Sequence, residues 1–310
     1  MIPLTSALDR PVKVRKLVRT SLRRQVANKV ATMLVTLSIV VVLVPLVWLM
    51  YSVVTEGFRA ATSSVWWTHS QAELTPFTPG GGAYHAIVGT LLLGLVCAVI
   101  AIPIGVFVAI YLVEYGGDTR MAKWTTLMVD ILSGVPSLVA ALFIYALWVG
   151  TLGFHRSGFA VSLSLALLMI PVIVRATEEM LRIVPMDLRE AAYALGIAKW
   201  KAIVRIVIPS GLSGIITGIM LALARVMGET APLLILVAYS QAMNFNMFSR
   251  FMGSLPGMMY DQRIAGAGAY PIATERLWGA ALTLILLIGV INVGARAVAK
   301  MFARRVIREF

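Results

Sequence analysis

The sequence predicts an all-α integral membrane protein of six transmembrane helices, with both termini in the cytoplasm and a structured basic loop after the fourth helix. Three observations carry that prediction. Of the 310 residues, 59% are hydrophobic and only 13% charged. Soluble domains run at about half apolar and about a quarter charged, so the balance argues against a soluble enzyme. Six apolar runs stand between the charges, and the 27 Lys and Arg residues against 14 Asp and Glu crowd into alternate connections. Nucleic-acid binding would instead gather the net charge of +13 on one face or domain.

The runs cover 31–54, 86–113, 124–150, 158–174, 211–240 and 277–298, close to the roughly 20 residues that cross the hydrocarbon. Each of the first five carries a proline (Pro45, Pro103, Pro136, Pro171, Pro232), which membrane helices tolerate where neighbours satisfy the freed carbonyl. The fourth is short before Arg175, and its helix has room to continue. The segments 1–30, 114–123, 175–210 and 296–310 hold 21 of the Lys and Arg residues, while 55–85, 151–157 and 241–276 hold five. The rule that basic loops stay inside places the first set in the cytoplasm. The expected organisation is a basic tail at 1–30, a first helix at 31–54, an outer loop at 55–85, a membrane core at 86–298 and a basic tail at 299–310. The core carries the basic loop 175–210 and an outer loop at 241–276. The first run is too long for a secretory signal, and no A-x-A site follows it before Glu56.

Other chemistries find little support. Cys97 is the single cysteine, and His69, His85 and His155 are far apart, so neither a disulfide framework nor a zinc site is expected. The chain has no GxxxxGK[ST] loop, so energised work would draw on a partner or an ion gradient.

The loop 175–210 is patterned. Asp187 and Glu190 have capping-box spacing behind Pro185, predicting a short helix that stops at Gly196. A second, amphipathic stretch over 198–208 is expected to end at Pro209. An interfacial helix pair on anionic headgroups is one reading of this pattern. The other comes from a resemblance. Glu190, Ala191 and Ala192, then Gly196, Ile206, Ile208 and Pro209, resemble the EAA loop of ATP-binding-cassette importer permeases, with Ile208 where Leu is usual. The resemblance implies a type I importer permease fold in which residues 190–196 dock on a separate ATPase. Small Ala191 and Ala192 would let that partner approach closely, and residues 209–218 would carry its movement into the fifth helix.

Asp130, Arg225 and Glu229 fall inside apolar runs, where an Arg or Asp costs about 2.5 to 3.5 kcal/mol on insertion scales. On the fifth run Gly211, Gly214, Gly218, Ala222, Arg225, Glu229 and Pro232 recur at helical spacing as one stripe. Pro232 is expected to free the carbonyl of Gly228 beside Glu229. Arg225 and Glu229 are open to two readings: an i, i+4 salt bridge that neutralises itself, or an anion relay in which the guanidinium grips oxygens in bidentate fashion. Asp130 is read either as part of that path or as a brace to a neighbouring helix.

The stretches ARVMGETAPLL (224–234), DILSGVPSLV (130–139), PVIVRATEEML (171–181) and GGAYHAIVGTLL (81–92) are similar to the PstA branch of phosphate-importer permeases, over residues 80–287. That resemblance implies a permease subunit in the bacterial inner membrane, forming half of a phosphate pathway through Arg225 and Glu229. Its implied partners are a PstC-like permease, two PstB-like ATPases and a PstS-like binding protein outside. No cofactor is expected on this chain, ATP and Mg belonging to the ATPases. Sulfate, molybdate or phosphonate are alternative cargoes. A gradient-driven carrier would commonly show internal repeats, and no second copy of the 225–232 pattern is present. A membrane scaffold would leave the charged stripe without a purpose.

Overall fold

A computed structural model describes residues 21–75 and 77–308. Residues 1–20 of the expected amino-terminal tail, and 309 and 310 of the carboxy-terminal one, lie outside the described residues. The chain divides into two compact units, Met1–Tyr51 and Ser52–Phe310. In the first, residues 22–51 are one continuous stretch of helix α1 (Leu22–Thr62), which runs through Pro45.

The second unit is helical almost throughout. After the end of α1 come α2 (Ser64–Thr68) and α3 (Tyr84–Ile110), which passes into a π-helical turn at Tyr111–Gly116. Helix α4 (Arg120–Ser133) starts where Thr119 accepts the Ala122 amide at 3.2 Å. Next follow α5 (Ser137–Ile144), with a second π turn at Tyr145–Thr151, and α6 (Gly158–Ile183), capped by Ser157. Helices α7 (Met186–Ala194) and α8 (Lys199–Ala202) precede a third π turn, Ile203–Val207, that leads into α9 (Ile208–Met227). Then come α10 (Ala231–Leu236), β1 (Ala238–Tyr239), β2 (Phe251–Met252), α11 (Leu255–Ile264) and α12 (Pro271–Arg308). The two short strands pair in parallel.

Among the described residues, five helices are long and apolar enough to cross a membrane, and α4 with α5 makes a sixth if that bent pair is one span. Leu93, Cys97 and Ala101 of α3 meet Leu165, Met169 and Ile173 of α6 and Ile215, Ile219 and Ala222 of α9 in the main core. A second core joins Ala60, Trp66 and Ala86 to Leu255, Met258 and Ala280. Side chains such as Val99, Phe107 and Val290 are 65 to 70% exposed. Such an apolar surface suits lipid and not water.

Several expected boundaries move. The first helix extends well beyond 31–54 at both ends. The third run is not a straight span: α4 and α5 are bent by 107° around Pro136, which serves as the N-cap of α5. Because Pro136 disfavours helix at Val135, the chain turns there. The fourth helix runs on to Ile183, so Arg175 belongs to a membrane-length helix and the loop begins after it. The fifth run, 211–240, is cut at Gly228, and its helix begins at Lys199. Pro209 does not end the amphipathic stretch. It enters α9 in the first turn, directly after the π turn in which the Ile208 amide donates to the Ile203 carbonyl. Pro232 opens α10, so it kinks no helix. The outer connections expected at 55–85 and 241–276 contain α2, α11 and β2, whose partner β1 lies at the end of the expected fifth run.

One contact between α3 and the loop before α11 is very tight. A Cβ on Gly89 would stand 1.9 Å from the Gly253 carbonyl oxygen, and the Leu255 amide donates to Thr90 Oγ1 nearby at 2.9 Å. Gly89→Ala is therefore expected to cost at least about 2 to 3 kcal/mol through overpacking. Gly150→Ala, whose new carbon meets nothing within 4 Å, is the control. Thermal unfolding of the purified protein in detergent compares them, and an unchanged midpoint for Gly89→Ala would contradict the contact.

Candidate functional site

Helix α7 is built to protrude. Pro185 occupies its N-cap in extended conformation, with no side-chain capping bond. The capping box expected from Asp187 and Glu190 is thus not formed: the helix starts two residues early and puts Asp187 inside its first turn. There its charge favours the amino-terminal end of the helix dipole. The other end closes on Gly196 at φ +74°. The Gly196 amide donates to the Tyr193 carbonyl at 2.9 Å and the Ile197 amide to the Ala192 carbonyl at 3.1 Å, the two bonds of a Schellman motif.

Arg189 and Ala192 form the buried side of α7, whereas Asp187, Leu188, Glu190, Ala191 and Tyr193 are exposed. The two alanines therefore divide their roles. Ala191 lies on the outer face, where a small residue permits close approach, and Ala192 packs inward. With Met186 at 60% and Leu195 at 80% exposure, this end of the molecule displays apolar side chains around Glu190. Ile206 and Pro209 are half-buried in the π turn and the start of α9.

The charged residues fall into two groups. Asp130 on α4 accepts from Arg175 Nη2 on α6. Arg175 Nη1 also donates to Glu178 at 2.8 Å, and Arg182 holds the other oxygen of Glu178 at 2.8 Å. Asp130, Arg175, Glu178 and Arg182 thus form a continuous ladder of alternating sign. The two signs screen one another, which lowers the cost of placing them on membrane helices. Asp130 is a brace between α4 and α6, and it is not joined to Arg225 or Glu229.

Arg225 is exposed in the last turn of α9, and Gly228 follows as the C-cap. Glu229 lies in the break between α9 and α10, half-buried in a small crevice lined by Thr90, Leu93, Gly94, Leu165 and Met227. The expected single stripe therefore ends at Arg225. No i, i+4 bridge forms, because the helix stops before Glu229, and among the described residues neither side chain has an ion-pair partner. A guanidinium with its donors free is able to take an anion's oxygens in a fork. Beyond α10 a cleft of about 240 Å³ is lined by Leu233 and Leu234 with Arg156, Tyr239, Tyr260 and Asp261. Burial, and then the Asp261 charge, raise the pKa of the Tyr239 hydroxyl. It stays neutral there, 3.0 Å from His85 Nε2.

Sequence reasoning missed Arg175 and Glu178 as intramembrane charges because it ended the fourth helix before them. Glu114 and Arg189 carry no such signal in the sequence either. The partner of Arg189 is 75 positions away, and no local spacing announces it.

Residues 101–308 match the family described as binding-protein-dependent transport system inner membrane component. The phosphate transport system permease protein PstA 1 of Mycobacterium tuberculosis (strain CDC 1551 / Oshkosh) is 52% identical over 98% of this chain and 100% of its own length. PstA of Mycobacterium leprae is 53% identical over 96% and 97% of the two chains, and PstA of Yersinia pestis 37% over 89% and 90%. Among solved structures, the inward-facing MetNI methionine ABC transporter aligns with a TM-score of 0.54 at 18% identity, covering 71% of this chain and 94% of that one.

Proposed function

The chain belongs to the binding-protein-dependent transport system inner membrane components, and from that premise we propose that it is the permease subunit of an ATP-driven importer of inorganic phosphate. The observation that carries the cargo is full-length similarity, at 52% identity, to relatives named as phosphate transport permeases. The charge on the cargo makes physical sense of the site. Phosphate in hydrocarbon needs positive or dipolar compensation, and Arg225 offers an unpaired guanidinium on a membrane helix.

In this reading the subunit forms half of the pathway and pairs with a PstC-like permease. Of two PstB-like ATPases beneath the permease pair, one docks on the exposed face of α7 around Glu190 and Ala191, and a PstS-like protein delivers phosphate from outside. The termini and the α7 loop lie in the cytoplasm, as the basic connections favour. ATP and Mg are handled by the ATPases. Arg225 takes the anion, and Glu229, two residues beyond the end of α9, repels it onward or pairs with Arg225 once the anion has left. Asp130 and Arg175 hold α4 against α6 beside that path.

Inside-out geometry is avoided by using right-side-out vesicles that contain this chain with its copurified partners and internal ATP. Phosphate uptake is expected to require ATP and to resist a large excess of sulfate or molybdate. ATP-independent uptake would overturn the importer reading, and equal competition by sulfate would overturn phosphate as the cargo.

A further inference from the structure

An arginine on a protruding docking helix would ordinarily face water or a partner. Arg189 faces inward and is 7% exposed. Its Nε and Nη2 donate to Glu114 Oε1 at 3.1 and 2.9 Å, Nη1 to the Val184 carbonyl at 2.7 Å, and Nη2 to the Leu181 carbonyl at 2.9 Å. One planar fork thus ties three segments together: α7, the end of α6 and the π turn that ends α3. A lysine, a single point of charge, could not hold all three. The Glu114 side chain is only 4% exposed, and removing this partner would leave a buried carboxylate without its ion pair.

The same turn is held from the far side of the loop. Lys199, at the start of α8, donates to the Glu114 backbone carbonyl and stands 4.7 Å from the centre of the Tyr115 ring. Residues before and after Gly196 therefore both grip one turn of α3. Above that turn α3 lies close against α6, where a Cβ on Gly105 would be 2.7 Å from Ile173 Cγ2. Farther along, Thr90, Leu93 and Gly94 of α3 form one wall of the crevice that holds Glu229.

We propose that Arg189 and Glu114 are positioning residues that join the docking helix to α3, so that displacement of α7 reaches the crevice at Glu229 through α3 as well as through α9. This rests on the permease reading above. Besides the route through residues 209–218, the loop thus has a second output. Neither residue touches the cargo; both determine whether ATP hydrolysis moves it.

The test is the number of anions imported per ATP hydrolysed, measured in vesicles with the assembled complex. Glu114→Gln keeps the shape and removes the charge, and Arg189→Lys keeps the charge and removes the fork. Both are expected to lower the ratio at least tenfold while the ATPase still copurifies and hydrolyses ATP. A merely structural role would lower the amount of complex and leave the ratio of the surviving fraction unchanged. A wild-type ratio in both variants would overturn the proposal. Should Glu114→Gln fail to assemble, Glu114→Asp decides on the same ratio. The cargo is phosphate, or whichever oxyanion the wild-type complex carries. Failure of the wild type to import phosphate therefore counts against the cargo, whereas an unchanged ratio counts against the joint alone.

Discussion

Replacing Arg225 by Gln is expected to lower phosphate uptake at least about a hundredfold, since two charge-assisted hydrogen bonds at about 1.5 kcal/mol or more each are lost with the guanidinium. The fold should survive. Arg225 is exposed in the last turn of α9 and has no ion-pair partner among the described residues, so its removal strands no buried charge. Arg225→Lys keeps the positive charge without the fork and should retain an intermediate rate. Radiolabelled phosphate uptake, compared at equal amounts of copurified ATPase, separates the three proteins. Wild-type uptake by Arg225→Gln would remove this residue from the pathway. Loss of the ATPase from the purified complex would mean that the effect arose in assembly.

Gly196→Val is expected to disable coupling from the opposite end of the molecule. The backbone at 196 has φ +74°, a region that costs an L-residue about 1 to 2 kcal/mol and a β-branched one more. Relieving that strain breaks the Schellman bonds to Tyr193 and Ala192. A local penalty of about 2 kcal/mol shifts the loop population roughly thirtyfold away from its docking shape, yet is well below the 5 to 15 kcal/mol that holds a domain folded. Nothing lies within 4 Å of the added Cβ, so the penalty is conformational and not steric. The expected outcome is normal membrane yield, weak recovery of the ATPase and little uptake. Gly196→Asn, which tolerates a positive φ, should restore most of the function. Normal coupled uptake by Gly196→Val would show that this turn does not set the docking geometry.

The lipid-crossing parts of this fold are legible in the sequence because hydrocarbon imposes a single rule over about 20 residues. The end of α7 is legible because Gly196 must adopt a conformation that few residues tolerate. Boundaries are less so. Hydropathy does not register that Pro136 turns the third run by 107°, or that α6 continues through Arg175 and Glu178, whose charges end an apolar window while satisfying one another. Asp187 satisfies the pattern of a capping box, yet Pro185 takes the N-cap two positions earlier. Arg225 and Glu229 are found from their cost in hydrocarbon. Their separation by a helix end is hidden, since i, i+4 spacing assumes that the helix continues past Gly228. Contacts between distant positions, Asp130 with Arg175 and Glu114 with Arg189, leave no trace in one sequence, because each depends on which helix faces which.

The π turn at Ile203–Val207 has a consequence for how the docking loop and the membrane helix can vary. A π turn accommodates one residue more than the α-helical repeat. Counting steps of 3.6 residues across it misassigns the helix face by one position, about 100° of rotation. The same surplus acts as an expansion joint in the peptide chain: the loop can lose a residue there by reverting to α geometry without turning Arg225 to a new face. The α7 loop and the segment that carries Arg225 are thereby free to change length independently, which a helix of uniform pitch would forbid.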